Sequence, residues 1–281
     1  MREIDAKRVT ETVSELLRDA CYRLPADALG ALRAALQGEQ APACRGVLAG
    51  LIENAEIAAA GAIPLCQDTG MAVVFLELGQ DLHVLGGDLE EAVQEGTRRA
   101  YGEGYLRTSV VARPFSARTN TRDNTPAVIH TTIVPGERLK ITALSKGFGS
   151  ENMSRLAMLT PAAGRQGVVG FVVRCVDEAG ANPCPPVIVG VGIGGTAEKC
   201  MLLAKRALLR GVGLPHPDPE VAGLEADLLT RVNDLGIGAM GYGGRVTALA
   251  VHCEVFPTHI ASLPVAVNLQ CHSVRHREAV L

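Results

Sequence analysis

The chain has 281 residues, 47% of them hydrophobic, a formal net charge of −3 and no tryptophan. That length supports a sizeable core and that composition excludes a disordered chain. The slight acidity argues against nucleic acid as the main partner, and no apolar run approaches the ~18 residues of a membrane span.

Aromatic residues make up 3%, so Val, Leu, Ile and Ala must build the core. The N-terminus, Met1-Arg-Glu-Ile-Asp-Ala-Lys-Arg, carries acids and no apolar segment. It does not read as a signal peptide, and a cytoplasmic location is the expectation. Helical spacing predicts three helices in the first sixty residues, Ile4 to Tyr22, Asp27 to Leu36 and Cys44 to Ala60, the last stopped by Gly61.

Pro64-Leu-Cys66-Gln67-Asp68-Thr-Gly70 follows, a turn that sets a thiol, an amide and a carboxylate side by side. Ala72 to Leu78 reads as a strand, and Asp88 as the N-cap of a helix from Leu89 to about Tyr101. The polar stretch from Arg118 to Pro126 is a loop, and Arg118 and Arg122 make it a candidate anion site. Ala127 to Val134 and Arg138 to Leu144, joined by Pro135-Gly-Glu137, predict a β-hairpin. Ser145-Lys-Gly-Phe-Gly149-Ser then predicts a glycine-rich turn into a helix over Glu151 to Leu159, closed by Pro161.

Gly167 to Ala179 has helical spacing. Cys184 sits among three prolines and must lie on a rigid extended loop. Val187-Ile-Val-Gly-Val-Gly-Ile-Gly-Gly195 leads into a helix from Lys199 to Leu209. It invites a dinucleotide reading, but the third glycine and the distal acidic residue of that fingerprint are missing. Asp218 to Asp234 is a further helix, 235–244 a glycine-dense turn, and Val246 to Val255 and Leu263 to Leu269 are strands. Cysteines number eight, with no CxxC pair, so neither a disulfide framework nor a zinc knuckle is expected. Cys21, Cys44, Cys175, Cys200 and Cys253 fall on core patterns. Cys66, Cys184 and Cys271 stand out by context, although no local metal motif links them.

Six stretches together resemble one family: Cys66-Gln-Asp-Thr-Gly70, Asp123-Asn-Thr-Pro126, Lys146 to Asn152, Cys184-Pro-Pro186, Gly192-Ile-Gly-Gly-Thr196 and Asn268-Leu-Gln-Cys271. In this order the chain is similar to the iron–sulfur-dependent hydro-lyases, class I fumarate hydratase and the α subunit of L(+)-tartrate dehydratase. The resemblance implies a [4Fe–4S] cluster on Cys66, Cys184 and Cys271, with one iron left open to substrate. It implies Gln67, Asp68, Arg107 and Gly149 as substrate contacts, and His259 as a histidine that tunes Asp68. It further implies half an active site, completed by a separate β subunit in an α2β2 assembly, acting on a C4 dicarboxylate, either fumarate/malate or tartrate. The competing readings are a nucleotide-binding oxidoreductase and a non-catalytic scaffold with a structural metal. The expected fold is a single domain of mixed α/β class, helical at its N-terminus, with a mixed or antiparallel sheet flanked by helices.

Overall fold

The computed structural model describes residues 2–281. The fold is mixed α/β, and contacts divide it into two compact units. The first comprises the chain up to Leu24, Ala55–Phe148 and Arg275–Leu281; the second comprises Pro25–Asn54 and Gly149–Val274. The chain passes between them repeatedly, which is why no linker can be read in the sequence.

In the first unit, Arg2–Asp5 is a strand paired in parallel with Leu82–Leu85, where a helical start was expected. Asp5 then caps the helix Ala6–Tyr22, its side chain accepting from Lys7 N. The four-stranded sheet runs His276–Val280, Leu139–Lys146, Met71–Gly79, Val128–Val134. Val128–Val134 and Leu139–Lys146 do not form the expected hairpin. Both flank Met71–Gly79 instead, the first in parallel and the second antiparallel. Met71–Gly79 is the strand whose residues 72–76 are all buried, so burial assigns it the sheet interior. The 135–138 turn wraps the end of that strand: Gln80 N donates to Val134 O (2.8 Å) and Gly79 N to Arg138 O (2.8 Å). Helices Ala6–Tyr22 and Leu89–Glu103 cover one face. Val9, Val13 and Leu17 from one, and Val93 and Tyr101 from the other, pack on Val74, Leu76, Ile141 and Ala143.

The second unit is built on the sheet Ala248–Phe256, Val187–Gly194, Leu263–Gln270, Arg155–Leu159. Its last strand replaces the helix expected over Glu151 to Leu159. Only Phe148–Glu151 is helical, and Arg155–Leu159 pairs antiparallel with Leu263–Val267. Backbone pairing along an open sheet edge outweighs the weak helical signal there. Helices Gly164–Ala179 and Pro219–Asn233 pack on Val189, Val191, Val265, Val267 and Leu269. On the opposite face Cys200 and Ala204 of helix Ala197–Ala207 pack on Ala266.

That packing accounts for the glycines that suggested a dinucleotide site. A Cβ on Gly190 would lie 2.1 Å from Ala204 O, and one on Gly192 would lie 2.0 Å from Cys200 O. The glycines let the helix backbone rest directly on the strand. Gly192→Ala is therefore expected to destabilise the protein by about 1–3 kcal/mol or more. Gly170→Ala, on an exposed helical position with nothing within 4 Å, is expected to stabilise it by about 0.5–1 kcal/mol. Urea unfolding midpoints of the two variants check the pair.

Candidate active site

The Cys66–Gly70 turn lies in the first unit and docks on the end of the central strands. Gly70 has φ +71°, and a Cβ there would sit 2.4 Å from Lys146 O. No other residue fits this approach without displacing backbone. The carbonyls of Thr69 and Gly70 are both claimed. Tyr101 donates from its hydroxyl to Thr69 O (2.7 Å), Ser145 Oγ donates to the same oxygen, and Asn124 Nδ2 donates to Gly70 O (3.1 Å). Burial pushes the Tyr101 hydroxyl far above the ordinary range, so it stays a donor throughout neutral pH.

This docking fixes the chemistry-bearing side chains. Asp68 accepts from Gly70 N at Oδ1 (3.0 Å) and from Phe148 N at Oδ2 (2.9 Å), so both carboxylate oxygens are oriented by backbone. The Cys66 thiol donates to Gln67 Oε1 (3.1 Å) and accepts from Asp68 N (3.5 Å). Gln67, Asp68, Arg107 and Arg118 line one open cavity of about 670 Å³. Arg118 thus joins Arg107 in the cavity, and Arg122 is not among its lining residues.

The Asp123-Asn-Thr-Pro stretch builds the wall that carries Arg107. Asn124 is fully buried, and its Oδ1 accepts from Ser109 N (2.6 Å) and Val110 N (3.1 Å) while its amide holds Gly70 O. One side chain therefore couples the Arg107 segment to the Asp68 turn. Asp123 accepts from Thr125 and from Arg98 Nε (3.1 Å); although burial opposes it, these donors hold its carboxyl below the usual range.

Arg275 is the contributor that sequence reasoning passed over. It is 2% exposed, donates from Nε to Ser145 O (3.2 Å), and receives Ser145 N at its own carbonyl (2.9 Å). A Cβ on Gly147 would meet Arg275 Nη2 at 2.4 Å and Asp68 Oδ2 at 3.1 Å. The bare Cα of Gly147 thus leaves room for a buried guanidinium and the Asp68 carboxylate to approach the same spot. The available signal was the basic run Arg275-His-Arg277 shortly after Cys271.

The second unit brings Cys184 and Cys271 to one end of its sheet. Gln270 pairs with Ile188 across antiparallel strands, so Cys271 follows where the Cys184–Pro186 loop enters. His272 Nδ1 lies 3.1 Å from Cys184 O, Cys184 adopts φ +56°, and Met240 N donates to Pro185 O (2.7 Å). A Cβ on Gly149 would stand 3.1 Å from Asn182 O, which sets Gly149 beside the same loop. His259 is exposed in the 257–261 connection, accepts from Ala261 N at Nδ1 (3.2 Å), and lines a separate cavity with Arg165, Asp218 and Glu220.

The eight cysteines sort by environment. Cys66 and Cys184 are part-exposed, and Cys271 at 9% is the most accessible of the rest. The other five are at most 3% exposed. Burial raises the thiols of Cys21, Cys44 and Cys253 and pushes Cys175 and Cys200 up to about 11, so all five stay protonated at neutral pH and are poor ligands. Among the described residues, no group of three or more His, Cys, Asp or Glu side chains is gathered around one metal position. The part-exposed thiols of Cys66 and Cys184, and the buried thiol of Cys271 just past the end of its strand, are soft donors of the kind an iron–sulfur cluster takes.

Asn124→Ala is expected to cost about 2–4 kcal/mol, since the Ser109 and Val110 N–H groups lose their acceptor and Gly70 O keeps only the longer bond from the Tyr101 hydroxyl (3.2 Å). Hydrogen exchange should then rise selectively at Ser109 and Val110; unchanged protection there would show that Asn124 does not hold the Arg107 wall.

Comparison with known proteins gives a family model for fumarate hydratase (fumerase) matching residues 10–280. A protein of Methanocaldococcus jannaschii, provisionally named L(+)-tartrate dehydratase subunit alpha, is 42% identical over 273 residues, 95% of each chain. The L(+)-tartrate dehydratase subunit alpha of Escherichia coli O157:H7 is 32% identical over 279 residues, and that of strain K12 is 30% identical over 276. Each of these covers 98% of this chain and 90% of the relative. No helix among the described residues is long and apolar enough to cross a membrane. A match that runs nearly end to end, over a turn that presents Gln67 and Asp68 to a cavity shared with Arg107, means that the chain belongs to the fumarate hydratase (fumerase) family.

Proposed function

We propose that the chain is the α subunit of a hydro-lyase that reversibly adds or removes water on a C4 dicarboxylate, fumarate/malate or tartrate, with a β subunit supplying the rest of the active site in an α2β2 assembly. The observation that carries this reading is the cavity in which a doubly oriented carboxylate, Asp68, faces the guanidinium-bearing residues Arg107 and Arg118. The names of the relatives, each a subunit alpha, support the partner.

Cys66, Cys184 and Cys271 would hold a [4Fe–4S] cluster. When bound, such a cluster supplies a Lewis acid that makes hydroxide a better leaving group. The remaining work falls to side chains of this chain. Arg107 takes a substrate carboxylate through its two-pronged donor set, which a point charge would not orient as well. Gln67 donates its amide to substrate oxygen, and the Gly149 N–H to the same diacid. Asp68, unable to rotate between its two backbone donors, holds a proton at the carbon or oxygen that changes state. His259 is assigned to tuning Asp68 within the assembled enzyme.

The test is a hydration and dehydration assay with the co-expressed partner chain, run in parallel on fumarate, malate and tartrate. Arg107→Ala is expected to raise KM by about 10–100-fold, the equivalent of one charge-assisted hydrogen bond of about 1.5–3 kcal/mol. Asp68→Asn is expected to lower kcat by about 10²–10⁴ with little change in KM. An unchanged KM in the first variant, or an unchanged kcat in the second, would remove that residue from the site.

A further inference from the structure

The strand Val128–Val134 lies at the edge of its sheet, hydrogen-bonded to Met71–Gly79 alone among the described residues. Its sequence is Val-Ile-His-Thr-Thr-Ile-Val. Six of the seven residues are β-branched, and there is no charge and no proline. Soluble proteins ordinarily blunt such an edge with Lys, Pro or a bulge, because unpaired N–H and C=O groups recruit another strand. This strand itself carries no Lys, no Pro and no register shift against Met71–Gly79. Ile133 is 69% exposed and Val128 39%, one on each face of the strand, and Thr131 and Thr132 are exposed as well.

The strand also reads nearly the same in both directions about Thr131. Laid antiparallel against its own copy with Thr131 opposite Thr131, Val128 faces Val134 and Ile129 faces Ile133. His130 faces Thr132, an imidazole opposite a hydroxyl, and His130 is already held in place by stacking on Phe75 (5.1 Å between ring centroids). Every cross-strand pair is then apolar with apolar or polar with polar, the pairing that favours a ladder. A two-fold axis through Thr131 generates this arrangement on both chains at once, as an isologous interface requires. An unrelated partner would need no such symmetry in the strand.

We propose that this edge is an interface between two copies of the chain, which join their sheets antiparallel across Thr131 into one eight-stranded sheet. The proposal rests on the first unit alone and is independent of the catalytic assignment.

The position that faces itself supplies the test. Thr131→Lys sets two ammonium groups opposite each other, and Thr131→Glu two carboxylates; like charges so placed oppose pairing. By sedimentation or light scattering, the purified wild-type chain is expected at 2 × 29.5 = 59.0 kDa, and each variant at 29.5 kDa with an unchanged circular dichroism spectrum. Mixing the two variants should restore the 59.0 kDa particle, since Lys then faces Glu. Ile133→Lys, at an exposed position, should also yield the smaller species and covers the case in which a Thr131 variant fails to fold. A monomeric wild-type chain, a dimer that Thr131→Lys leaves intact, or variants that stay apart on mixing would overturn the proposal.

Discussion

The close approach of Gly70 to the Lys146–Gly147 backbone governs the first unit's site. It allows the Cys66–Gly70 turn to lie flat on the end of the central strands, where Phe148 N can reach Asp68. Because the approach is backbone against backbone, the carbonyls of Thr69 and Gly70 become buried and must be paired, since an unpaired buried carbonyl costs about 1–3 kcal/mol. Tyr101, Ser145 and Asn124 meet that need. The same three side chains belong to a helix, a sheet strand and the 121–127 loop, so satisfying one turn ties together most of the unit. Arg107 is placed as a consequence, through the grip of Asn124 on Ser109 and Val110.

The second unit solves a related problem by another route. Two loops that carry thiols are brought to one sheet end by antiparallel pairing of Val187–Gly194 with Leu263–Gln270. Glycines in the strand, not in a loop, let helix Ala197–Ala207 lie close enough to bury that sheet's second face. The glycine-dense segment 235–244 folds back on itself, with Gly243 N bonded to Ile237 O (2.9 Å), and supports the Cys184 loop through Met240 and Pro185. Part-buried ion pairing secures the unit elsewhere: Arg210 bridges Glu225 (2.5 Å) and Glu254 (2.7 Å), and Glu225 also receives Cys253 N (2.7 Å).

Much of this was legible in the residues. Asp88 marked a helix start and acts as the expected side-chain cap; Asp218, the first residue of another expected helix, caps it in the same way, and Gly180 closes a third at φ +53°. The five cysteines that fall on core patterns are buried, because apolar periodicity is a local signal; of the three that stand out by context, Cys66 and Cys184 are part-exposed and Cys271 is buried. What failed was whatever depended on distant pairing. The Pro135-Gly-Glu137 turn looks like a hairpin until a third strand, Met71–Gly79, takes the place between its arms. Arg155–Leu159 is drawn into a strand by Leu263–Val267, far along the chain. Arg275 could not be recognised as part of the site because its neighbours Ser145 and Gly147 lie well over a hundred residues away and reach it only through sheet register.

The account turns on three thiols standing apart from five. Its most direct test is anaerobic reconstitution of eight single Cys→Ser variants, with iron and sulfide counted per chain. Loss of bound iron and sulfide in the Cys66, Cys184 and Cys271 variants, with the other five retaining both, is the result predicted here. Full retention by any of those three, or loss confined to the five core positions, would contradict it.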